Sequence, residues 1–366
     1  MLKACAGLSS LREGKEIHHH IIASGFESDA FVGIALINMY CKCGELDIAR
    51  NVFDKICKSS VVSWNTMIRG YVQSMDFDKA LKLFNQMQLE GITPTSITIV
   101  SIFSAFAHLG DLQQGRIIHA YVLKMGFESD VFVGNSRIAM YAKCGNLEVS
   151  HRLFYSMPIK DLISWNVMID GYVQNGNSNA ARELFKHMQL ANVKPDTITI
   201  VSVIQACAHL GTLQNAIWIH DNVIQSGFES DILVGNSLVA MYAKCGSIGT
   251  ARQVFDKMSE RGVVSWNAMI AGYVQNGYAS EALTLFYEMQ SEGIKANAET
   301  AVGVLAACAH LGALQQGKSI HNYVVRSGFE IDVYVSNSLV ALYAKCDSIE
   351  VASQLFRKMY NRDVVS

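Results

Sequence analysis

Three prolines are spread over 366 residues. A chain so poor in proline has few enforced breaks, which favours long helical content. Charge is scarce as well: Asp, Glu, Lys and Arg make up 17% of residues against 50% hydrophobic, and the formal net charge is −2. Without a basic excess, diffuse attraction to phosphates is a weak driver, so nucleic-acid binding would have to rest on placed contacts. Long hydrophobic runs are missing. The most apolar stretch, residues 97–109, is interrupted by Thr98, Ser101, Ser104 and His108 and is too short to cross a bilayer, so no membrane association is expected. No basic segment followed by an apolar core opens the chain, and no secretory signal is read there. The nine cysteines are odd in number and form no paired framework, which points to a reducing compartment.

Catalytic motifs are absent too. A zinc deaminase needs H-x-E and a downstream C-x-x-C, because zinc takes three protein ligands and a Glu shuttles the proton. No His here has Glu two places on, and the only close cysteine pair, Cys41 and Cys43, is C-x-C. No Ser/His/Asp or phosphate-loop arrangement stands out. The chain is therefore read as having no enzymatic site and no cofactor.

What is present is repetition. Ser-Trp-Asn recurs around Trp64, Trp165 and Trp266, a step of 101 residues. "GFESD" recurs at 25–29, 126–130 and 227–231, with "GFEID" at 328–332. "YAKCG" at 141–145 and 242–246 is joined by "YCKCG" at 40–44 and "YAKCD" at 342–346. One supersecondary unit is shorter than this, and each copy subdivides as 35, 35 and 31 residues. In 162–196, Trp165, Met168, Ile169 and Tyr172 sit at i, i+3, i+4 and i+7, and Ala181, Leu184, Phe185 and Met188 repeat that spacing. Gln174 to Asn177 forms the break and Pro195 the stop. Each hairpin thus carries an apolar stripe it cannot bury alone, and stacking of neighbours buries it. The fold expected is all-α, a right-handed α-solenoid superhelix of stacked helix-turn-helix repeats.

The alternation of lengths, together with "VVSWNTMIRGYVQ", "VFVGNSRIAMYAKCGNLEVSHRLFYSMPIKD" and "ACAHLGTLQNAIWIH", resembles the plant pentatricopeptide repeat family, PLS subclass, over essentially the whole chain. The resemblance implies P-type repeats at 61–95, 162–196 and 263–297, and L-type repeats at 96–130, 197–231 and 298–332. S-type repeats fall at 30–60, 131–161, 232–262 and 333–363. A partial L-type repeat covers 1–29 and the start of another 364–366, so a single array cut from a longer one is expected.

The family reads single-stranded RNA one base per repeat with two or three side chains, a mode general to this repeat class. Its pattern assigns this to the fifth and last residues. The pairs here are Asn65 with Thr95, Asn135 with Asp161, Asn166 with Asp196, Asn236 with Gly262, Asn267 with Asn297, and Asn337 with Asp363. Asn with Asp implies uracil, Asn with Asn cytosine, and Asn with Thr or Gly a pyrimidine. Ile34 with Ser60 departs from the pattern, so that repeat is expected to read weakly or not at all; the L-type fifth residues Val100, Val201 and Val302 have no hydrogen-bonding group, and those repeats are expected to act as spacers. The implied register from residue 30 is n-Y-n-U-U-n-Y-C-n-U. The fifth residue is expected in the first turn of its helix, pointing into the groove. Second residues are implied to sandwich the base: Val62, Phe132, Ile163, Leu233, Val264 and Tyr334, with Phe31 in the first S-type repeat. Lys42, Lys143, Lys244 and Lys345, at position 13 of the S-type repeats, are candidates to meet phosphate.

Plainer readings stand beside these. The asparagines suit helix caps, the lysines suit the negative end of a helix dipole, and the second residues suit packing between repeats. Cys43, Cys144, Cys245 and Cys346, once per long unit, read as core thiols, as do Cys5, Cys207 and Cys308; His18, His119, His220 and His321 read as packing. By resemblance the protein would sit in a mitochondrion or chloroplast and select transcripts for C-to-U editing, with editing-complex proteins or a deaminase in trans as partners. The alternative is a protein-binding α-solenoid of the tetratricopeptide type, against which stand its 34-residue period and W-x2-L-G signature.

Overall fold

A computed structural model describes residues 1–56 and 60–359 of the protein. Among them every regular element is helical: twenty-two α-helices and one short 3₁₀ turn, Phe329–Ile331. Asp363 lies outside the described residues. The chain divides into two compact units, Met1–Asn175 and the residues from Gly176 on.

In the first unit, 61–95 folds as Val61–Gln73 and Phe77–Leu89, 96–130 as Ser96–Leu109 and Leu112–Met125, and 131–161 as Val131–Lys143 and Leu147–Ser156. The second unit repeats the plan, with Ile232–Lys244 and Ile248–Lys257 in 232–262, and Val263–Gln275 and Ala279–Ser291 in 263–297. Segments of 31 residues are short because their second helix has 10 residues where others have 13 or 14. The recurring His-Leu-Gly ends its helices on a left-handed glycine, as at Gly110 with φ 66°, a conformation a side chain resists.

The apolar stripes are the buried faces. Trp165, Met168, Ile169 and Tyr172 are buried, and so are Ala181, Leu184, Phe185 and Met188. Within each unit, first helices pack against the first helices before and after them, while a second helix lies against its own first helix and the next one. Within each unit the first helices therefore form one layer and the second helices the other.

Three contacts recur at the 101-residue step and tie first helices to the helices that precede them. Phe53, Phe154 and Phe255 each meet Trp64, Trp165 and Trp266 edge to face at 5.0 Å, a geometry that adds to the burial gain. Gly171 and Gly272 permit close approach: a Cβ on either would stand 2.8 Å from the Cβ of Ala142 or Ala243. Asn175 and Asn276 donate across the same seam to the Ala142 and Ala243 carbonyls at 2.9 Å.

The four aligned histidines are packing residues. His18, His119, His220 and His321 pair through Nδ1 with the hydroxyls of Tyr40, Tyr141, Tyr242 and Tyr343 at 2.8 or 2.9 Å. One copy differs: Arg137 is buried where the others have Leu36, Leu238 and Leu339. Its Nη1 donates to His119 Nε2 at 3.1 Å. Burial, then the arginine charge, pushes His119 down to about 4, so the ring is neutral and its Nδ1 hydrogen goes to Tyr141. Cys5, Cys207 and Cys308 are core residues, and burial raises the Cys207 thiol to about 12. Cys43, Cys144, Cys245 and Cys346 differ from the expectation. They are half-buried, each one residue past its first helix, because the chain is already turning outward there.

Candidate nucleic-acid interface

The last residue of each segment is the N-cap of the next first helix. Thr95, Asp161, Asp196 and Asn297 each form a capping box with the hydroxyl residue three places on, Thr98, Ser164, Thr199 or Thr300. Ser60 accepts from Val62 N, and Gly262 holds its cap position without a side chain. The capping role considered for the fifth asparagines thus belongs to their partners, since the fifth residue lies one turn inside its helix.

The fifth asparagines are more enclosed than the sequence suggests. Asn65, Asn135 and Asn267 are only 8%, 5% and 5% exposed; Asn166, Asn236 and Asn337 are half-buried. The reason is the cap of the next repeat. Asn65 Nδ2 donates to Thr95 Oγ1 at 3.0 Å, Asn135 Nδ2 to Asp161 Oδ1 at 3.1 Å, and Asn267 Nδ2 to Asn297 Oδ1 at 3.1 Å. The Thr98 and Thr300 hydroxyls return a bond to Oδ1 of Asn65 and Asn267 at 2.5 and 2.7 Å. In 131–161 and 232–262 the Oδ1 atoms of Asn135 and Asn236 are buried without a hydrogen-bond partner among the described residues. What lies at the surface is the half-buried last residue, held by the amide beneath it.

Asp161 is acceptor-only. Burial works against its charge, but hydrogen bonds from the Ser164 amide and hydroxyl and from Asn135 outweigh it and lower the pKa. Val100, Val201, Val302 and Ile34 are half-buried hydrocarbon.

The second residues stand out into solvent. Val62, Phe132, Ile163, Leu233, Val264 and Tyr334 are all exposed, from 50% at Ile163 to 73% at Tyr334, and Phe31 is more exposed still. Packing between repeats, which would bury them, is excluded. Amide–cap pairs therefore lie between exposed apolar side chains in the first unit, as Asn65 and Thr95 lie between Val62 and Ile97, and Asn135 and Asp161 between Phe132 and Ile163. Lys42, Lys143, Lys244 and Lys345 are exposed last residues of their first helices. Eleven residues beyond position 2 brings a side chain back to within about 20° of it, about 16 Å farther along the axis. The lysines thus share the face of the exposed apolar row, and Lys143 lies near enough to Asp170 to oppose the upward pull of burial on its carboxyl.

The hydroxyl residues three places past the ends of the S-type and P-type segments were missed from the sequence. Ser63, Ser164, Ser265 and Thr98, Thr199, Thr300 recur at the long period and are buried, and buried hydroxyls at a fixed distance from a cap are the signal that marks them.

Comparison with known proteins fits this geometry. Models of the PPR repeat family match residues 59–108, 160–209 and 261–310, and those of the PPR repeat match 35–61, 135–162, 236–263 and 334–364. Together they cover more than half of the chain. It belongs to the PPR repeat family. Among curated relatives in Arabidopsis thaliana, the pentatricopeptide repeat-containing protein At1g11290, chloroplastic, is 40% identical over all of this chain and 45% of its own length. The protein At1g15510, chloroplastic, is 38% identical over all of this chain and 42% of its own length. The chain thus spans about half the length of the curated relatives it matches. Its fold resembles the crystal structure of the pentatricopeptide repeat protein PPR10 from maize, with TM-score 0.62 at 18% identity over the whole chain and 59% of that one. PPR10 in complex with an 18-nt psaJ RNA element gives TM-score 0.67 at 19% identity, covering 97% of this chain and 59% of that one.

Proposed function

We propose that this PPR chain is a target-recognition tract that binds single-stranded RNA, one base per repeat, in the PLS arrangement of P-, L- and S-type repeats given above. The observation that carries the reading is the row of exposed apolar second residues, which bracket fifth-and-last-residue couples such as Asn135 with Asp161. A base inserted between two such side chains stacks on hydrocarbon or an aromatic ring, worth about 1–3 kcal/mol for a good aromatic stack. Its edge then meets the last residue first and the fifth amide behind it. The asparagine sets the orientation of the last residue and has hydrogen-bonding capacity left at Oδ1 in 131–161 and 232–262.

The edge chemistry supports the implied pairs. An ionised Asp161 accepts from the N3–H of uracil and repels the N3 lone pair of cytosine. Asn297 brings an N–H and suits cytosine N3. L-type repeats, with valine at the fifth place, keep the stacking wall and add no readout. The register is n-Y-n-U-U-n-Y-C-n-U, with Lys42, Lys143, Lys244 and Lys345 meeting phosphates along the same face.

The RNA-bound state of PPR10 supports RNA as the ligand, and the chloroplastic relatives support an organellar setting. We place the chain as the sequence-reading part of an editing factor, with the deaminase supplied by another segment or in trans. The test is a fluorescence-anisotropy titration of the ten-nucleotide RNA UUAUUACCAU, and of the same RNA with purines at its six specified places, over a range of salt. Tight binding of the first alone is expected. Lys143→Ala should weaken it and lower the slope of log Kd against log salt by about 0.7, the single-strand value per phosphate contact, leaving base preference unchanged. Equal affinity for the two RNAs removes the reading in favour of a protein-binding solenoid. An unchanged slope removes the phosphate role.

A further inference from the structure

Both amide hydrogens of Asn267 are engaged, and one of the residues that takes them breaks the pattern of its neighbours. Asn267 Nδ2 carries two hydrogens. One goes to Asn297 Oδ1 at 3.1 Å and the other to Glu299 Oε2 at 2.9 Å. Asn267 Oδ1 accepts from Thr300 Oγ1 at 2.7 Å. In the equivalent couples, Asn65 and Asn135 donate to the cap residue alone among the described residues.

Glu299 is the second residue of 298–332. The matching residues of the other 35-residue copies are Ile97 and Ile198, both exposed hydrocarbon. One wall of the site in 263–297 is therefore Val264 and the other is a carboxylate, itself exposed and hydrogen-bonded to the reading amide. Asn297 is fixed as well. Its Oδ1 accepts from the Thr300 amide at 2.9 Å and shares the one Thr300 hydroxyl hydrogen, 2.8 Å away, with Asn267 Oδ1, while its Nδ2 hydrogens have no acceptor among the described residues. The site thus offers two groups of opposite sense side by side: an amide donor and a carboxylate acceptor.

We infer that Glu299 is a specificity-determining residue for the nucleotide read by 263–297, its carboxylate accepting from the exocyclic amine of cytosine while Asn297 donates to cytosine N3. The inference rests on the base-reading function proposed above. Cytosine presents an amino donor beside a ring-nitrogen acceptor, which matches both groups. Uracil presents O4 to the carboxylate and N3–H to the amide hydrogen, so both contacts change sign. A carboxylate accepting from the cytosine amine is an established pairing in nucleic-acid recognition. The carboxylate also sits in the first turn of its helix, where it favours the positive end of the dipole; that role alone moves stability and leaves base choice untouched.

The experiment uses the full chain and two ten-nucleotide RNAs, UUAUUACCAU and UUAUUACUAU, which differ only at the eighth place. Kd is measured for the unaltered protein, Glu299→Ile and Glu299→Gln, with thermal melting as the control for folding. The unaltered protein should prefer cytosine, and both variants should lower the cytosine-to-uracil preference about tenfold, Glu299→Ile in part by tightening the uracil complex. A preference unchanged in both variants, while discrimination at the fourth nucleotide persists, overturns the inference and leaves base reading standing. Absence of discrimination at every place in the unaltered protein overturns base reading itself.

Discussion

A chain carrying Asp161→Asn should exchange uracil for cytosine at the fourth nucleotide and fold as before. Two properties of Asp161 separate its roles. As an N-cap it accepts from the Ser164 amide and hydroxyl, each at 2.8 Å, and Asn serves a cap about as well as Asp. The helix Leu162–Gln174 should therefore lose only a few tenths of a kcal/mol. As a reader it is a charged acceptor whose pKa is lowered by the hydrogen bonds around it. The substitution replaces one acceptor oxygen by an N–H donor and removes the charge. Uracil N3–H then faces a hydrogen, and cytosine N3 faces a donor. The expected change is a reversal of preference by tenfold or more in each direction, on the order of the 1–3 kcal/mol of a good base-edge contact. Titration of RNAs with U or C at the fourth place reads it directly, and a melting curve confirms the fold. A preference that stays with uracil means that Asp161 is a cap and nothing more.

The largest effect on stability is expected at Trp266. Its ring is fully enclosed and meets Phe255 edge to face at 5.0 Å, where the second helix of 232–262 lies against the first helix of 263–297. Trp266→Ala should cost about 3–5 kcal/mol, the range for deleting a buried aromatic. Because each repeat touches only its neighbours, the loss falls on one junction. Urea unfolding should show reduced cooperativity, and hydrogen exchange should accelerate in 232–297 before the rest. Trp266→Phe should cost much less. The indole Nε1 is buried without a partner among the described residues, so the phenyl ring keeps the aromatic contact and removes an unsatisfied donor. A loss under 1 kcal/mol for Trp266→Ala would show that this junction is not held by its aromatic pair.

The helical array was legible because its signals are local. Trp165, Met168, Ile169 and Tyr172 state their shared face by spacing alone, and that face is buried. Pairings between repeats were not. The amide of Asn135 meets a cap 26 residues away and His119 meets a tyrosine 22 residues away; the long period shows that each residue recurs without showing what it touches. The enclosure of the fifth asparagines has the same origin, since it is the following repeat that covers them. Exposed Phe132 and Tyr334 read from sequence as either packing or display, because an apolar residue in a first turn suits both, and only the neighbouring helix decides. Glu299 escaped notice because a single acid near a helix start is ordinary; its bond to Asn267 appears only when the two repeats are stacked.

The pitch of the array, one couple of reading residues for each successive nucleotide, is the claim on which the functional account turns. Selection of bound RNA from a random pool, followed by sequencing, tests it most directly. The account predicts enrichment of pyrimidines at the second, fourth, fifth, seventh, eighth and tenth places of a ten-nucleotide window, with uracil at the fourth, fifth and tenth, cytosine at the eighth, and no preference elsewhere. Bound RNAs that share no fixed spacing between their pyrimidines, or a pool that yields no bound RNA at all, would contradict it.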